Sequence, residues 1–191
     1  MGSRGQSSRK GFTKTYRNTL AVSESRIRND KVETAFIIDR KGNILLKKSD
    51  GDAGKVEFDA DQCALMKGAV LTHNHPSGSP LSTADVTLVV KHDLAAIRAT
   101  SANMDYELWK VRDVENKEDL PWEYYQAQKA VEQKLDQIFD KAENDYITSH
   151  ISKREFRSIC DDLNERVDNA RREWLKSNAG KYGYRYSETR R

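Results

Sequence analysis

The chain has 191 residues and a net charge of +3, with 37% hydrophobic and 33% charged residues. This length suits one domain of ordinary size, alone or with an appendage, and the apolar share suffices for a core over only part of the chain. The mild net charge does not by itself indicate nucleic-acid binding, and no apolar run approaches the roughly 18 residues of a membrane span.

Two further features concern the compartment. The first residues, MGSRGQSSRKGF, lack the apolar segment of a signal peptide. Cys63 and Cys160 are far apart and outside any CxxC spacing, which disfavours a disulfide scaffold and a cysteine-rich zinc site. We therefore expect a cytoplasmic, reducing environment.

The N-terminal third is predicted to contain a disordered tail, a helix and a β-hairpin. Residues 1–12 are rich in Gly, Ser and basic residues, which predicts a disordered basic tail. A helix is predicted from Thr13 to about Asn29. The segment ETAFIID, from Glu33 to Asp39, has the pattern of a buried strand, RKGN that of a turn and NILLKK that of a returning strand, so a β-hairpin is expected.

The next segments alternate between strand and helix patterns. KVEFD predicts a short strand, DADQCALMKG a short helix ending at Gly68, and AVLTHNH a strand that ends in two histidines. A helix is expected from about Thr83 to Ala99, and DYELWKVRDV predicts a further strand. The apolar residues at helical spacing in that helix are Val86, Val89, Val90, Leu94 and Ile97. The order indicates a compact α/β domain over residues 13–115.

Strand signals vanish after about residue 120, and two helices are predicted instead. Ser152 and Glu155 form the capping box S-K-R-E at the start of the second helix. Apolar residues recur every three or four positions in the first helix and at heptad spacing in the second. They are Tyr124, Ala127, Val131, Leu135, Ile138, Ala142 and Tyr146, followed by Phe156, Cys160, Leu163, Val167, Ala170 and Trp174.

The two helices predict an antiparallel helical hairpin over residues 116–178. Each apolar stripe is narrow, so the hairpin could pack on its own seam, on the α/β domain or on a second copy of the chain. The last segment, residues 179–191, contains KYGYRYSETRR and is predicted to be a basic, aromatic tail.

The stretch LTHNHPSGSPLSTAD has the residue types of a metal site. Residues i and i+2 of an extended segment point to the same side, so His73 and His75 can reach one point in space. A zinc ion needs about four ligands, three from the protein when the fourth position is left to water. Asp85 is the candidate third ligand, because the turn-rich PSGSPLST can fold the following helix start back over the strand end.

Two more residues have the chemistry that a hydrolytic zinc site needs. A general base must not itself be a ligand, and Glu33, which opens an apolar strand, is the candidate, with Glu57 as an alternative. The Ser82 hydroxyl could stabilise a developing oxyanion. Ser82 and Asp85 also belong to S-T-A-D, which is a helix capping box, so a purely structural role is the alternative for both.

The order E…HxHP…SxxD resembles the JAMM motif of the JAB/MPN metalloproteases, and HNHPSG is most similar to the RadC-like branch and its phage-encoded relatives. The resemblance covers about residues 30–114 and leaves out the helical hairpin. It departs from the motif in one place, because six residues instead of seven separate the second histidine from the serine.

The resemblance implies a JAB/MPN-like, cytidine-deaminase-like fold, in which helices flank a mixed sheet, and a zinc cofactor. The implied zinc ligands are His73, His75 and Asp85. The implied catalytic residues are Glu33 as general acid and base and Ser82 as the oxyanion-stabilising residue.

Two functional hypotheses follow. The first is a zinc-dependent metallopeptidase or isopeptidase that hydrolyses a peptide or protein-conjugate substrate through metal-activated water. The second is a non-catalytic binding or assembly module, associated with phage or DNA, that uses the helical hairpin and the basic ends. Under either hypothesis the hairpin is the candidate surface for a homo-oligomer or protein partner, the basic ends are the candidate contact for nucleic acid, and no membrane partner is expected.

Overall fold

The computed structural model describes residues 11–52 and 54–191. Within these ranges the chain forms five α-helices and six β-strands, and no helix is both long and apolar enough to cross a membrane. In chain order the elements are α1 (Lys14–Ile27), β1 (Ala35–Ile38), β2 (Ile44–Lys48), α2 (Ala60–Ala64), β3 (Val70–Asn74), α3 (Thr83–Lys91), β4 (Ala96–Thr100), β5 (Met104–Lys110), α4 (Leu120–Ile147), α5 (Lys153–Asn178) and β6 (Tyr184–Arg190).

The strands form one mixed sheet in the order β2-β1-β3-β4-β5-β6. β3 and β4 run parallel and are joined through α3, whereas the other neighbouring strands run antiparallel. Helices flank the sheet and a pair of helices follows β5. The predicted mixed α/β class with a C-terminal helical hairpin is therefore confirmed.

Both faces of the sheet are covered, and β1 shows this most clearly. Ala35 and Ile37 belong to the larger core, which includes residues of α3 and of the hairpin base. Phe36 and Ile38 belong to the smaller core on the opposite face, together with Tyr16 of α1. Successive side chains of a strand point to opposite faces, so a strand covered on both sides reads as an uninterrupted apolar run.

The helical hairpin packs on its own seam and, at its base, on the α/β domain. α4 and α5 contact each other along their length, and Leu120, Tyr124 and Leu175 near the hairpin base belong to the larger core. The predicted capping box of α5 is formed, because the Ser152 hydroxyl accepts from the Glu155 N–H and the Glu155 carboxylate accepts from the Ser152 N–H.

Two predicted elements differ from the structure. The helix predicted from about Thr83 to Ala99 begins at Thr83 but ends at Lys91, because Asp93 adopts a left-handed φ of 52° and the chain turns back into β4. Leu94 and Ile97 are buried, as a helix would also bury them, so apolar spacing alone could not reveal the break. The second error is KVEFD, which is an irregular segment and not a strand.

The expected C-terminal tail is also wrong for most of its length. Residues Tyr184–Arg190 form β6, which pairs antiparallel with β5 and becomes an edge of the sheet. Tyr184 is buried in the larger core, and the Arg191 guanidinium pairs with the buried carboxylate of Asp105. Aromatic residues at alternate positions fit a half-buried strand, and the basic residues between them hid that pattern.

At the other end, residues 1–10 of the predicted basic tail lie outside the described residues. Phe12, the last residue of that predicted tail, packs with its ring centroid 4.5 Å from that of Tyr16 and 4.9 Å from that of Trp109. The predicted helix after Thr13 is confirmed as α1, whose first turn is capped by the Thr13 hydroxyl. Ordered packing of the α/β domain therefore includes Phe12.

The backbone conformation of Gly183, directly before β6, predicts that a side chain at this position lowers stability. It has a φ of +81°, and a Cβ there would overlap the carbonyl oxygen of Arg112. Gly183→Ala should lower the free energy of unfolding by roughly 1–3 kcal/mol, because the left-handed backbone and the overlap both disfavour a side chain. Gly180→Ala is the control, since a Cβ at Gly180 meets nothing within 4 Å. Chemical denaturation of both variants measures the difference, and equal unfolding free energies would contradict the prediction.

Candidate metal centre

Strand pairing brings Glu33 and the two histidines to one face of the sheet. His73 lies opposite Ala35 in the antiparallel register of β1 and β3. Continuing this register places Glu33 opposite His75. The side chains of Glu33, Ala35, His73 and His75 therefore share the face of the sheet that α3 covers.

The donor atoms of these three residues converge. The Nε2 atoms of His73 and His75 lie 2.8 Å apart, and Glu33 Oε1 lies 3.8 Å from His73 Nε2. One ligand atom from each of the three residues falls within 4.8 Å of the other two, a spacing that could hold a metal ion. All three residues are at least nine-tenths buried.

Asp85 completes the cluster from α3. Its Oδ1 lies 3.1 Å from His73 Nε2, and its Oδ2 lies 3.5 Å from His75 Nε2. α3 starts directly after the loop that follows β3 and crosses the same face of the sheet, which brings its third residue over the histidines. The loop of six residues is thus long enough to bring Asp85 to the pair.

Ser82 and Asp85 also form the capping box that the sequence left as an alternative. Asp85 Oδ2 accepts from the Ser82 N–H at 2.7 Å and from the Ser82 hydroxyl at 2.8 Å, while the Ser82 Oγ accepts from the Asp85 N–H at 3.1 Å. The two carboxylate oxygens differ in their contacts, because Oδ2 caps the helix and lies 3.5 Å from His75 Nε2, whereas Oδ1 faces His73. Capping and a metal-site role are compatible in one carboxylate.

The far ring nitrogens of the two histidines differ. His75 Nδ1 lies 2.8 Å from the carbonyl oxygen of Ser79, so its N–H donates to that carbonyl and Nε2 faces the cluster. A hydrogen bond of this kind orients a histidine that binds a metal. His73 Nδ1 is buried without a hydrogen-bond partner among the described residues, so packing and the Nε2 contacts to His75 and Asp85 orient the His73 ring.

The charges in the cluster are strongly coupled. Burial by itself lowers the pKa of His75, but the hydrogen bond and the charge of Asp85 outweigh burial and raise that pKa to about 9. Burial raises the pKa of Asp85, yet the charges and hydrogen bonds of the two histidines lower it well below its usual value. Burial raises the pKa of Glu33, and the histidines offset this only in part. A metal ion would compete with the His75 proton for Nε2.

Asn74 was missed by the sequence analysis. Its side chain points to the opposite face, where Oδ1 accepts from the Thr34 N–H at 2.8 Å and Nδ2 donates to the carbonyls of Asp30 and Val32. These bonds fix the segment that carries Glu33. The signal was present in the alternation of the strand, because the residue between two ligand candidates must face the other side and, if polar, needs buried partners there.

The structure distinguishes Glu33 from the other candidate base. Glu57 lies away from the histidines, since its side chain is 75% exposed and its carboxylate pairs with Lys55 at 2.8 Å. Of the remaining histidines, His92 caps the C-terminus of α3 and His150 is exposed in the connection between the hairpin helices. The cluster therefore consists of His73, His75, Asp85 and Glu33, with Ser82 in contact with Asp85.

A cavity of about 160 Å³ opens beside the cluster. Val56 and Phe58, from the irregular segment that was expected to be a strand, form part of its wall. Leu71 and Leu88 also line it. The cavity thus joins a polar floor to an apolar wall, which is a common design of small-ligand and substrate sites.

Two imidazoles and two carboxylates are a donor set that suits zinc and other first-row divalent ions. Comparisons with protein-family models, with curated proteins and with solved structures found no match for this chain. The chemical interpretation therefore depends on the geometry of the cluster itself.

The three hydrogen bonds of the Asn74 side chain predict that this residue stabilises the fold. Asn74→Ala should lower the free energy of unfolding by roughly 2–4 kcal/mol, because it leaves one buried N–H and two carbonyls of the Glu33 segment without their partner. Asn164→Ala, on the exposed side of α5, is the control and should change stability by less than about 0.5 kcal/mol. Urea denaturation measures both, and a near-neutral Asn74→Ala would show that the three bonds do not stabilise the fold.

Proposed function

We propose that the protein is a zinc-dependent metallopeptidase or isopeptidase of the JAB/MPN type. The observation that carries this proposal is a buried cluster beside a cavity, in which donor atoms of Glu33, His73 and His75 lie within 4.8 Å of one another and Asp85 contacts both imidazoles. A polar cluster of this kind is costly to bury and contributes to function most directly by binding a cation.

His73, His75 and Asp85 are the proposed ligands. Asp85 lies within 3.5 Å of both imidazoles, whereas the nearest ion-pair contact of Glu33 is the longer one of 3.8 Å to His73. When bound at such a site, zinc acts as a Lewis acid and lowers the pKa of coordinated water. The donation from His75 to the Ser79 carbonyl holds the His75 ring in the orientation that ligation requires.

Glu33 is the proposed general acid and base. Its backbone is fixed on both sides, because its N–H donates to the Asp52 carbonyl at 2.7 Å and its carbonyl accepts from the Ser49 hydroxyl at 2.9 Å. The side chain projects from this fixed backbone to the histidine pair. In the proposed role, Glu33 would accept a proton from water and pass it to the leaving amine.

Ser82 is the proposed oxyanion donor. Its hydroxyl donates to Asp85 Oδ2, which also accepts from the Ser82 backbone N–H. The hydroxyl can therefore turn toward a substrate oxyanion while the backbone bond continues to hold Asp85. Hydrogen bonds that strengthen as negative charge develops stabilise the transition state selectively.

The proposed substrate is an extended peptide or a protein conjugate. The polar floor of the cavity would face the scissile amide, and the wall formed by Val56, Phe58 and Leu88 would contact an apolar side chain next to it. Burial of such a side chain positions the amide beside Glu33.

Measurements of zinc content and cleavage rate test the proposal and distinguish the role of Glu33 from that of Asp85. The wild type should bind about one zinc ion per chain, Glu33→Gln should retain zinc but lose roughly 10²–10⁴-fold in cleavage rate, and Asp85→Asn should lose zinc. Elemental analysis and cleavage of a peptide and conjugate panel are the measurements. Glu57→Gln, an exposed carboxylate, is the control and should retain both properties.

Three outcomes of this experiment would change or refute the proposal. Zinc lost in Glu33→Gln but kept in Asp85→Asn would make Glu33 the third ligand. A wild type that binds zinc and cleaves no substrate of the panel would favour a non-catalytic binding module. A wild type without zinc affinity would refute the metallopeptidase.

Ser152, the N-cap of α5, is the matched control for Ser82, the N-cap of α3. Ser82→Ala and Ser152→Ala each remove an N-cap hydroxyl, so both should lower the free energy of unfolding by about 1 kcal/mol. Only Ser82→Ala should lower kcat, by roughly 10²-fold, if its hydroxyl stabilises the oxyanion. Thermal unfolding and steady-state kinetics measure the pair, and an unchanged kcat in Ser82→Ala would leave Ser82 as a cap alone.

A further inference from the structure

We infer that Tyr124 and Gln128 of the helical hairpin are positioning residues of the proposed metal centre, because their contacts fix the start of α3. This inference rests on the proposed zinc site. Both residues lie in α4, outside the segment that carries the sequence motif. The hairpin is therefore assigned a function in the site in addition to its packing.

The first contact is a buried hydrogen bond to the residue before the helix cap. The Tyr124 hydroxyl donates to the carbonyl oxygen of Leu81 at 2.7 Å, and both residues are at most 1% exposed. Leu81 directly precedes Ser82, the N-cap of α3. The bond therefore fixes the backbone from which Ser82 and Asp85 project.

The second contact lies on the other side of the cap. The Thr83 hydroxyl donates to the Gln128 Oε1 at 3.3 Å, and Arg171 Nε of α5 donates to the same oxygen at 3.0 Å. The Gln128 Nε2 donates to Glu132 at 2.7 Å, so both ends of the Gln128 amide are engaged. Both helices of the hairpin thus contribute to this contact.

Together the two contacts flank Ser82. Tyr124 and Gln128 are four residues apart and lie on the same face of α4, and they reach the residues directly before and after the cap. The carboxylate of Asp85, which approaches the two histidines, is one turn into α3. A shift of the helix start would move this carboxylate relative to both imidazoles.

Packing allows the Tyr124 hydroxyl to be removed without removing the ring. The Tyr124 ring lies 5.4 Å from that of Trp174 between centroids and belongs to the larger core. Tyr124→Phe therefore deletes the hydrogen bond and leaves the apolar packing in place.

The test measures the zinc dissociation constant of the full chain by competition with a chromogenic chelator. Tyr124→Phe and Gln128→Leu should each raise it roughly tenfold, as is typical when a residue that orients a ligand loses its hydrogen bond. Tyr125→Phe and Gln126→Leu are matched controls on the exposed side of α4 and should leave it unchanged. Hydrogen exchange in residues 81–86 should accelerate in Tyr124→Phe and not in Tyr125→Phe.

Leu163→Ala separates positioning from general destabilisation. Leu163 is buried in α5, so its truncation should lower the unfolding temperature while the zinc dissociation constant stays at the wild-type value. An equal loss of affinity in Leu163→Ala, or an unaltered dissociation constant in Tyr124→Phe, would overturn this inference alone. A wild type that does not bind zinc would overturn the proposed function and this inference together.

Discussion

The antiparallel register of β1 and β3 is the constraint on which the site depends. With Ala35 opposite His73, the carboxylate of Glu33 and both imidazoles must point to the same face. A slip of one residue would turn Glu33 to the other face of the sheet. The apolar residues of β1, buried on both sides, fix this register, because a slip of one residue would exchange side chains between the larger and the smaller core. Packing of the strand therefore sets the geometry of the proposed chemistry.

The two faces of the sheet bury polar groups in different ways. Opposite the candidate metal centre, the Arg98 guanidinium pairs with Glu24 at 2.6 Å and with Glu107 at 3.2 Å, which compensates the burial of these charges. In the candidate metal centre two carboxylates and two imidazoles lie close together, and His73 Nδ1 has no partner among the described residues. A paired network stabilises a fold by itself, whereas a convergent set of acceptor atoms is better satisfied by a cation.

The C-terminal part of the chain is integrated with the α/β domain. β6 extends the sheet and contributes Tyr184 to its core, and the hairpin base adds Tyr124 and Leu175 to the same core. The start of α3 is consequently packed between the sheet and α4. This arrangement explains how residues far from the motif in sequence contact the backbone of the capping box. At the distal end of α4, by contrast, Ile147 is 72% exposed.

The sequence by itself determined the short-range features: the mixed α/β class, the two hairpins, the capping boxes and the paired histidines at a strand end. These follow from periodicity and side-chain chemistry over a few residues. Only the tertiary structure decided that Glu33 and not Glu57 reaches the histidines, that Asp85 both caps α3 and faces His73, and that Tyr124 holds the helix start. The reason is physical, because strand register and hairpin docking result from contacts between residues distant in sequence. Contacts between residues distant in sequence produce no periodic pattern in the local sequence, so periodicity does not predict them.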